Sequence, residues 1–162
     1  MIDRTLTTDT TAQEHAPTIK RLLVAFVAGF IAVPVFHQSV LALFAAIGTV
    51  SATPYSSGPA AVTGLPQVLS RALLGGVYGM ALVVLLERVV RRRAGAAFWI
   101  AALAMSAVLP STMAWFILAP IKGRPLAAGG DVKQLGVALT TNAAWGVGTV
   151  AIYRFLRRLS PG

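Results

Sequence analysis

The sequence contains no cysteine. That excludes disulfides, thiolate zinc sites, cysteine-held iron–sulfur clusters and cysteine nucleophiles, and it leaves the redox compartment unread. Acidic residues are scarce as well, five Asp and Glu against 14 Lys and Arg. Asp3, Asp9 and Glu14 lie near the N-terminus, leaving Glu87 and Asp131, which the topology derived below puts near opposite membrane faces, too far apart to work as a catalytic pair. There are two histidines, and no Walker spacing surrounds Gly129 and Gly130. The sequence therefore predicts no enzyme, no cofactor and no metal centre.

What is present is apolar. Hydrophobic residues make up 56% of the 162 positions and charged residues 12%, with a mean hydropathy of +0.74. A soluble domain carries roughly 25% charged residues, so this is an integral membrane protein. The net charge of +9 does not imply nucleic acid, because the cations flank apolar segments instead of forming a stripe on a soluble face. They read as orientation signals and as contacts to anionic lipid headgroups. Abundant alanine and an excess of arginine over lysine fit a GC-rich bacterial genome.

The segment 66–93, PQVLSRALLGGVYGMALVVLLERVVRRR, shows the pattern most fully. Its apolar middle, with its flanks, is long enough to cross a ~30 Å hydrocarbon layer at ~1.5 Å per residue. Arg71 stands near one end; Arg88, Arg91, Arg92 and Arg93 close the other. Three further apolar segments accompany it, so the predicted fold is all-α, an integral membrane four-helix bundle with spans at about 22–47, 66–90, 96–119 and 135–156. A polar tail over 1–19 precedes the four-span domain of 20–158, and a short tail over 159–162 follows it. Lys20 and Arg21 before the first apolar run resemble a signal peptide, but the run exceeds an h-region of about 7–15 residues and is read as a retained anchor.

Counting basic residues orients the chain. With both termini cytoplasmic, the inner side holds Arg4, Lys20, Arg21, Arg88, Arg91, Arg92, Arg93, Arg154, Arg157 and Arg158. The outer side then holds only Arg71, Lys122, Arg124 and Lys133, as the positive-inside rule favours. The second and third spans, joined by a very short connection, are expected to be antiparallel neighbours. Both outer connections are longer and rich in Pro and Gly, and segment 115–134 is expected to lie at the interface, with a lid over the bundle as the alternative.

Small residues recur every fourth position: Ala25 and Gly29 in the first span, Gly75 and Gly79 in the second, Gly146 in the fourth. Such stripes let helices approach closely in lipid, and polar residues share their faces. Measured along the helices, His37 lies about 22 Å from the inner entry and Arg71 and Asn142 about 8–10 Å below the outer surface. The candidate ligand site is thus a polar cluster in the outer half, made of His37, Gln38, Arg71, Ser111, Thr112, Thr141 and Asn142. An arginine in hydrocarbon costs at least ~2.5 kcal/mol. Arg71 therefore either snorkels to the outer headgroups or finds backbone carbonyls, Gln38, Asn142, Asp131 or an anionic ligand such as a lipid phosphate. His37 reads as a neutral histidine bonded within the bundle, a proton-handling group, or a haem ligand; two-histidine ligation needs a second chain, because His15 is in the tail. Pro34 and Pro110 each remove a helical donor, from the carbonyls of Phe30 and Ser106.

Several short blocks carry a resemblance: Gly29-Phe30 with Phe36-His37-Gln38; Leu69-Ser70 with Gly75-Gly76 and Gly79; Trp115-Phe116 with Ala119-Pro120 and Lys122-Gly123; Asn142 with Ala144-Trp145-Gly146. Over roughly residues 22–158 the chain resembles a family of small uncharacterised bacterial four-helix integral membrane proteins. The resemblance implies the fold and carries no functional residue. The expected role is a non-enzymatic accessory or assembly subunit acting through helix packing in a bacterial inner membrane, as a homo-oligomer or part of a larger membrane complex. The alternative is a small transporter or a lipid- or anion-binding protein using the cluster around Arg71, and haem binding through His37 comes third.

Overall fold

The computed structural model describes residues 19–90 and 95–159. The expected N-terminal tail up to residue 18, the cations Arg91, Arg92 and Arg93, and residues 160–162 lie outside the described residues. Within them the chain is helical, with no named strand. Four helices are long and apolar enough to span a membrane: α1 (Ile19–Ala46), α2 (Gln67–Val89), α3 (Ala96–Ile121) and α4 (Val132–Leu159). The protein thus has the helices of a multi-pass membrane protein, with α1 and α4 starting three residues earlier than expected.

Local chemistry sets where these helices stop. After α1 the N–H of Gly48 bonds the carbonyl of Ala45 at 3.0 Å and that of Thr49 bonds Phe44 at 2.8 Å, with Gly48 at φ 70°. This is the Schellman arrangement, which needs a left-handed residue after the helix. α3 ends the same way: Gly123, at φ 64°, donates to Pro120 and Arg124 donates to Ala119, both at 2.9 Å. α4 is started by Asp131, whose Oδ1 accepts from the N–H groups of Lys133 and Gln134 at 2.9 and 3.2 Å. Its Oδ2 accepts from Gln134 Nε2 at 2.9 Å, so both oxygens are committed to the helix start.

The prolines Pro34 and Pro110 each lie in or just before a widened turn. Pro34 lies in a π-helical turn, Val33–His37, and Pro110 precedes another, Ala114–Leu118. Such turns hold one extra residue and redirect the side chains that follow.

Packing inverts the pattern of a soluble protein. On α1 the large residues Leu23, Val27, Ile31 and Val35 face outward at four-residue spacing, while Ala25, Ala28, Gly29 and Ala32 are buried. α1 and α2 meet at glycines: a Cβ on Gly79 would sit 2.7 Å from the Ala25 carbonyl oxygen and 3.0 Å from Gly29 Cα. Gly75 lies against Gly29 and Val33, and Gly146 of α4 lies against Ser106 of α3. Every glycine of the predicted stripes is therefore in contact with another helix of the same chain. α1 packs extensively on α2 and α4, and α3 on α4, whereas α2 and α3 touch far less despite their short connection. Sequence adjacency makes those two antiparallel, but close packing follows the small residues instead.

Two clusters form the interior. Leu82, Leu86, Phe98, Trp145 and Val150 belong to the larger, and Ala25, Ala28, Val83 and Tyr153 to the smaller. At the end where α1 begins and α4 finishes, Arg21 pairs with Glu87 across α1 and α2. Arg154 lies 5.3 Å from the centre of the Phe98 ring and 5.7 Å from that of Trp99, within cation–π range.

Candidate functional site

The opposite end, where the two long connections lie, holds the polar residues. A cavity of about 230 Å³ opens there among the four helices. Its polar wall is His37 from α1, Arg71 from α2, and Thr141 and Asn142 from α4. Val33, Gly75, Tyr78, Pro110, Leu118 and Trp145 supply much of the remaining wall. The widened turns contribute directly: His37 ends the first, while Ala114 and Leu118 bound the second and both line the cavity.

Hydrogen bonding divides these groups into committed and free ones. Thr141 donates back to the carbonyls of Val137 and Ala138 at 2.9 and 3.1 Å, a common habit of hydroxyls in helices. Asn142 Nδ2 donates to Ser111 Oγ at 2.9 Å, joining α4 to α3. Arg71 Nη2 donates to Gln67 Oε1, one turn earlier on its own helix, at 3.2 Å. Arg71 Nη1 and His37 Nδ1 are buried and have no hydrogen-bond partner within the protein. A buried donor without a partner costs about 1–3 kcal/mol, and more when charged. Both lie on residues that line the same cavity.

The seven predicted residues do not form a single cluster. His37, Arg71, Thr141 and Asn142 come together, and Ser111, fully buried, joins them through Asn142. Gln38, on the next position of the helix, is fully buried elsewhere: its Oε1 accepts the N–H of Tyr55 at 3.2 Å. Tyr55, at φ 54°, also donates its hydroxyl to the Pro34 carbonyl at 3.0 Å, so the first connection is fastened over the widened turn of α1. Thr112 bonds the Leu109 carbonyl on its own helix at 2.9 Å and is not part of the cavity wall. The expected partners of Arg71 are corrected too. Its side-chain hydrogen bond goes to Gln67 instead, while Gln38 Oε1 accepts from Tyr55, both Asp131 oxygens cap α4, and Asn142 donates its Nδ2 to Ser111.

Sequence reasoning missed a second cavity. About 490 Å³ in volume, it lies between the connection after α3 and the helix ends, and Lys122, Arg124, Trp115 and Gln134 are among its lining residues. It shares Ala114, Leu118 and Ala138 with the Arg71 cavity. The K-G-R order around Gly123 was the available signal, since a Schellman turn there brings cations from both sides of the glycine to one place. Burial, followed by the charges of Arg124 and Arg71, holds the Lys122 ammonium below the ordinary lysine value. A further cavity, about 210 Å³, lies at the Arg21 end among Glu87, Phe98, Tyr153, Arg154, Arg157 and Arg158, and none of the unpartnered polar atoms lies on its lining residues.

No group of three His, Cys, Asp or Glu side chains able to hold a metal occurs among the described residues. Comparisons with protein-family models, with curated proteins and with solved structures return no match. The chemistry of the site must therefore be argued from its own side chains. These comprise one guanidinium with a free donor edge, one imidazole with a free nitrogen, an amide, and apolar walls. An anion is the complement of that set, because Arg71 has five donors, no acceptor and no carboxylate beside it.

Proposed function

We propose that the protein is a non-enzymatic, multi-pass protein of a bacterial inner membrane that binds an anionic group at Arg71, with a lipid phosphate or a small anion as ligand. In this reading the four helices form a bundle with both termini cytoplasmic, which puts the cavity in the outer half of the bilayer. The carrying observation is the buried, unpartnered Nη1 of Arg71 on the wall of a 230 Å³ cavity that no carboxylate lines. His37 Nδ1 supports it, because a neutral imidazole with its proton on that nitrogen adds a donor to the same space.

Native mass spectrometry of the full chain, released from its own membranes in mild detergent, tests the reading. The parent is expected to carry a discrete anionic lipid or small anion, and Arg71→Gln is expected to lose it while keeping its helical circular dichroism. Equal retention in that variant would sink the proposal. The accessory-subunit reading drew on the lack of catalytic motifs and on the glycine stripes, and those glycines pack against the chain's own helices. The same spectra address it, since a stable mass containing a second polypeptide or further copies favours an assembly role. Two-histidine haem ligation through His37 would need its second histidine from outside the described residues, because His37 is the one histidine among them.

A further inference from the structure

Resting on the anion-binding reading of Arg71, the charge balance around the two adjoining cavities narrows the class of ligand. Three of the four cations at this end line the two cavities: Arg71 on one wall, Lys122 and Arg124 on the other. Burial first, and then the like charges of Arg124 and Arg71, hold the Lys122 ammonium below the ordinary lysine value, in keeping with three cations lining two adjoining cavities. The nearest acid along the chain, Asp131, is fully exposed and spends both oxygens on capping α4. None of the three cations has a salt-bridge partner among the described residues.

Mutual repulsion of that kind is relieved by a ligand with more than one negative charge. A phosphodiester headgroup carries one; a phosphomonoester carries ~1.5–2 near neutral pH and offers three acceptor oxygens. Arg71 and the pair Lys122 and Arg124 line adjoining cavities, which have Ala114, Leu118 and Ala138 as common walls. An anion spanning that boundary meets a partly buried guanidinium on one side and two exposed cations on the other. The connection is held in shape for this: Gly123 closes the end of α3 between Lys122 and Arg124, and Ala127, Ala128 and Gly129 follow in left-handed conformations at φ 46°, 54° and 67°. Two consecutive alanines in that region are strained positions, and such positions cluster at ligand clamps.

We infer that the adjoining cavities take a phosphomonoester or diphosphate group, with Arg71 holding the buried side of the anion and Lys122 and Arg124 the exposed side. The same chemistry occurs at the head of a lipid or on a free phosphate, and the test separates the two sources.

Full-length protein in neutral-charge detergent is titrated with phosphatidic acid, a phosphomonoester lipid, with phosphatidylglycerol, a phosphodiester lipid, and with inorganic pyrophosphate, binding being followed by native mass spectrometry and thermal shift. The parent is expected to bind phosphatidic acid about tenfold more tightly than phosphatidylglycerol, as one or two extra charge-assisted contacts require. The double variant Lys122→Gln with Arg124→Gln, whose changed residues are exposed and leave the helices intact, is expected to lose that preference and still bind phosphatidylglycerol. Pyrophosphate that stabilises the parent as strongly as phosphatidic acid assigns the group to a soluble ligand; pyrophosphate without effect, beside a phosphatidic acid preference, assigns it to a lipid. Equal affinity for the two lipids in the parent, with no response to pyrophosphate, overturns the inference. If Arg71→Gln loses phosphatidylglycerol in that case, the anion-binding reading survives; if it retains both lipids, that reading falls as well.

Discussion

Trp145 donates its indole N–H to the carbonyl oxygen of Gly29 at 2.9 Å, at the place where α1 and α2 come closest. The bond exists because two glycines make room for it. Gly75 lacks a Cβ that would otherwise stand 3.2 Å from Trp145 Nε1, and Gly29 lets α2 approach its own backbone. One side chain of α4 thereby fastens the contact between two other helices, and it is also part of the cavity wall.

Trp145→Phe keeps an aromatic ring but leaves the Gly29 carbonyl without this donor. Hydrogen bonds between membrane helices are worth on average ~0.6 kcal/mol and at most ~1.7, so a loss of about 1 kcal/mol is expected. Trp145→Ala removes the ring as well and is expected to cost about 3–5 kcal/mol. Unfolding in mixed detergent with increasing dodecyl sulfate measures both. A Trp145→Phe protein as stable as the parent would show that the bond contributes nothing.

Two glycine substitutions should have opposite signs. Gly79→Ala drives a methyl against the Ala25 carbonyl and Gly29 Cα, both backbone atoms that cannot rotate away, so overpacking of about 1–3 kcal/mol is expected. Gly136→Ala, on α4, meets nothing within 4 Å and replaces a flexible helical residue, so it should stabilise by roughly 0.5–1 kcal/mol. The same unfolding titration reads both, and equal effects would contradict the close approach of α1 and α2.

The start of α4 should be sensitive to acid. Hydrogen bonds from Gln134, side chain first, lower the Asp131 carboxyl below its ordinary value, with the Lys133 N–H adding to the effect. A group depressed in the folded state stabilises above its unfolded pKa, and that contribution disappears as pH falls through the folded value. The cap is therefore expected to be intact at neutral pH and lost below the usual carboxylate range. Amide exchange at Lys133 and Gln134, corrected for intrinsic rates, should accelerate there in the parent, whereas Asp131→Ala should exchange rapidly at every pH. Protection that persists at low pH in the parent would refute the assignment.

Much of the fold was legible because lipid simplifies the reading. A helix must satisfy its own backbone in hydrocarbon, so four long apolar runs imply four helices. Their ends were less exact: α1 and α4 extend beyond the expected spans because Asp131 caps one and the helical pattern of the other continues through Lys20 and Arg21. The site was legible in part. Depth along each helix pointed to one level for His37, Arg71, Thr141 and Asn142, and these four line one cavity. It could not say which way Gln38 points, because the widened turn at Pro34 rotates everything after it. Thr112 failed for a simpler reason, since a hydroxyl in a helix is readily satisfied by its own turn.

The sequence by itself determined the apolar helices, the glycine stripes that pack them, and the scarcity of acids that leaves Arg71 without a carboxylate beside it. All of these follow from local composition and spacing. Only the tertiary structure decided that α2 packs on α1 more than on α3, that Trp145 reaches Gly29, and that the Lys122–Arg124 connection adjoins the Arg71 cavity. Those relationships join residues far apart in the chain, and they depend on how small side chains and widened turns set helix spacing and rotation, which no periodicity along a single helix records.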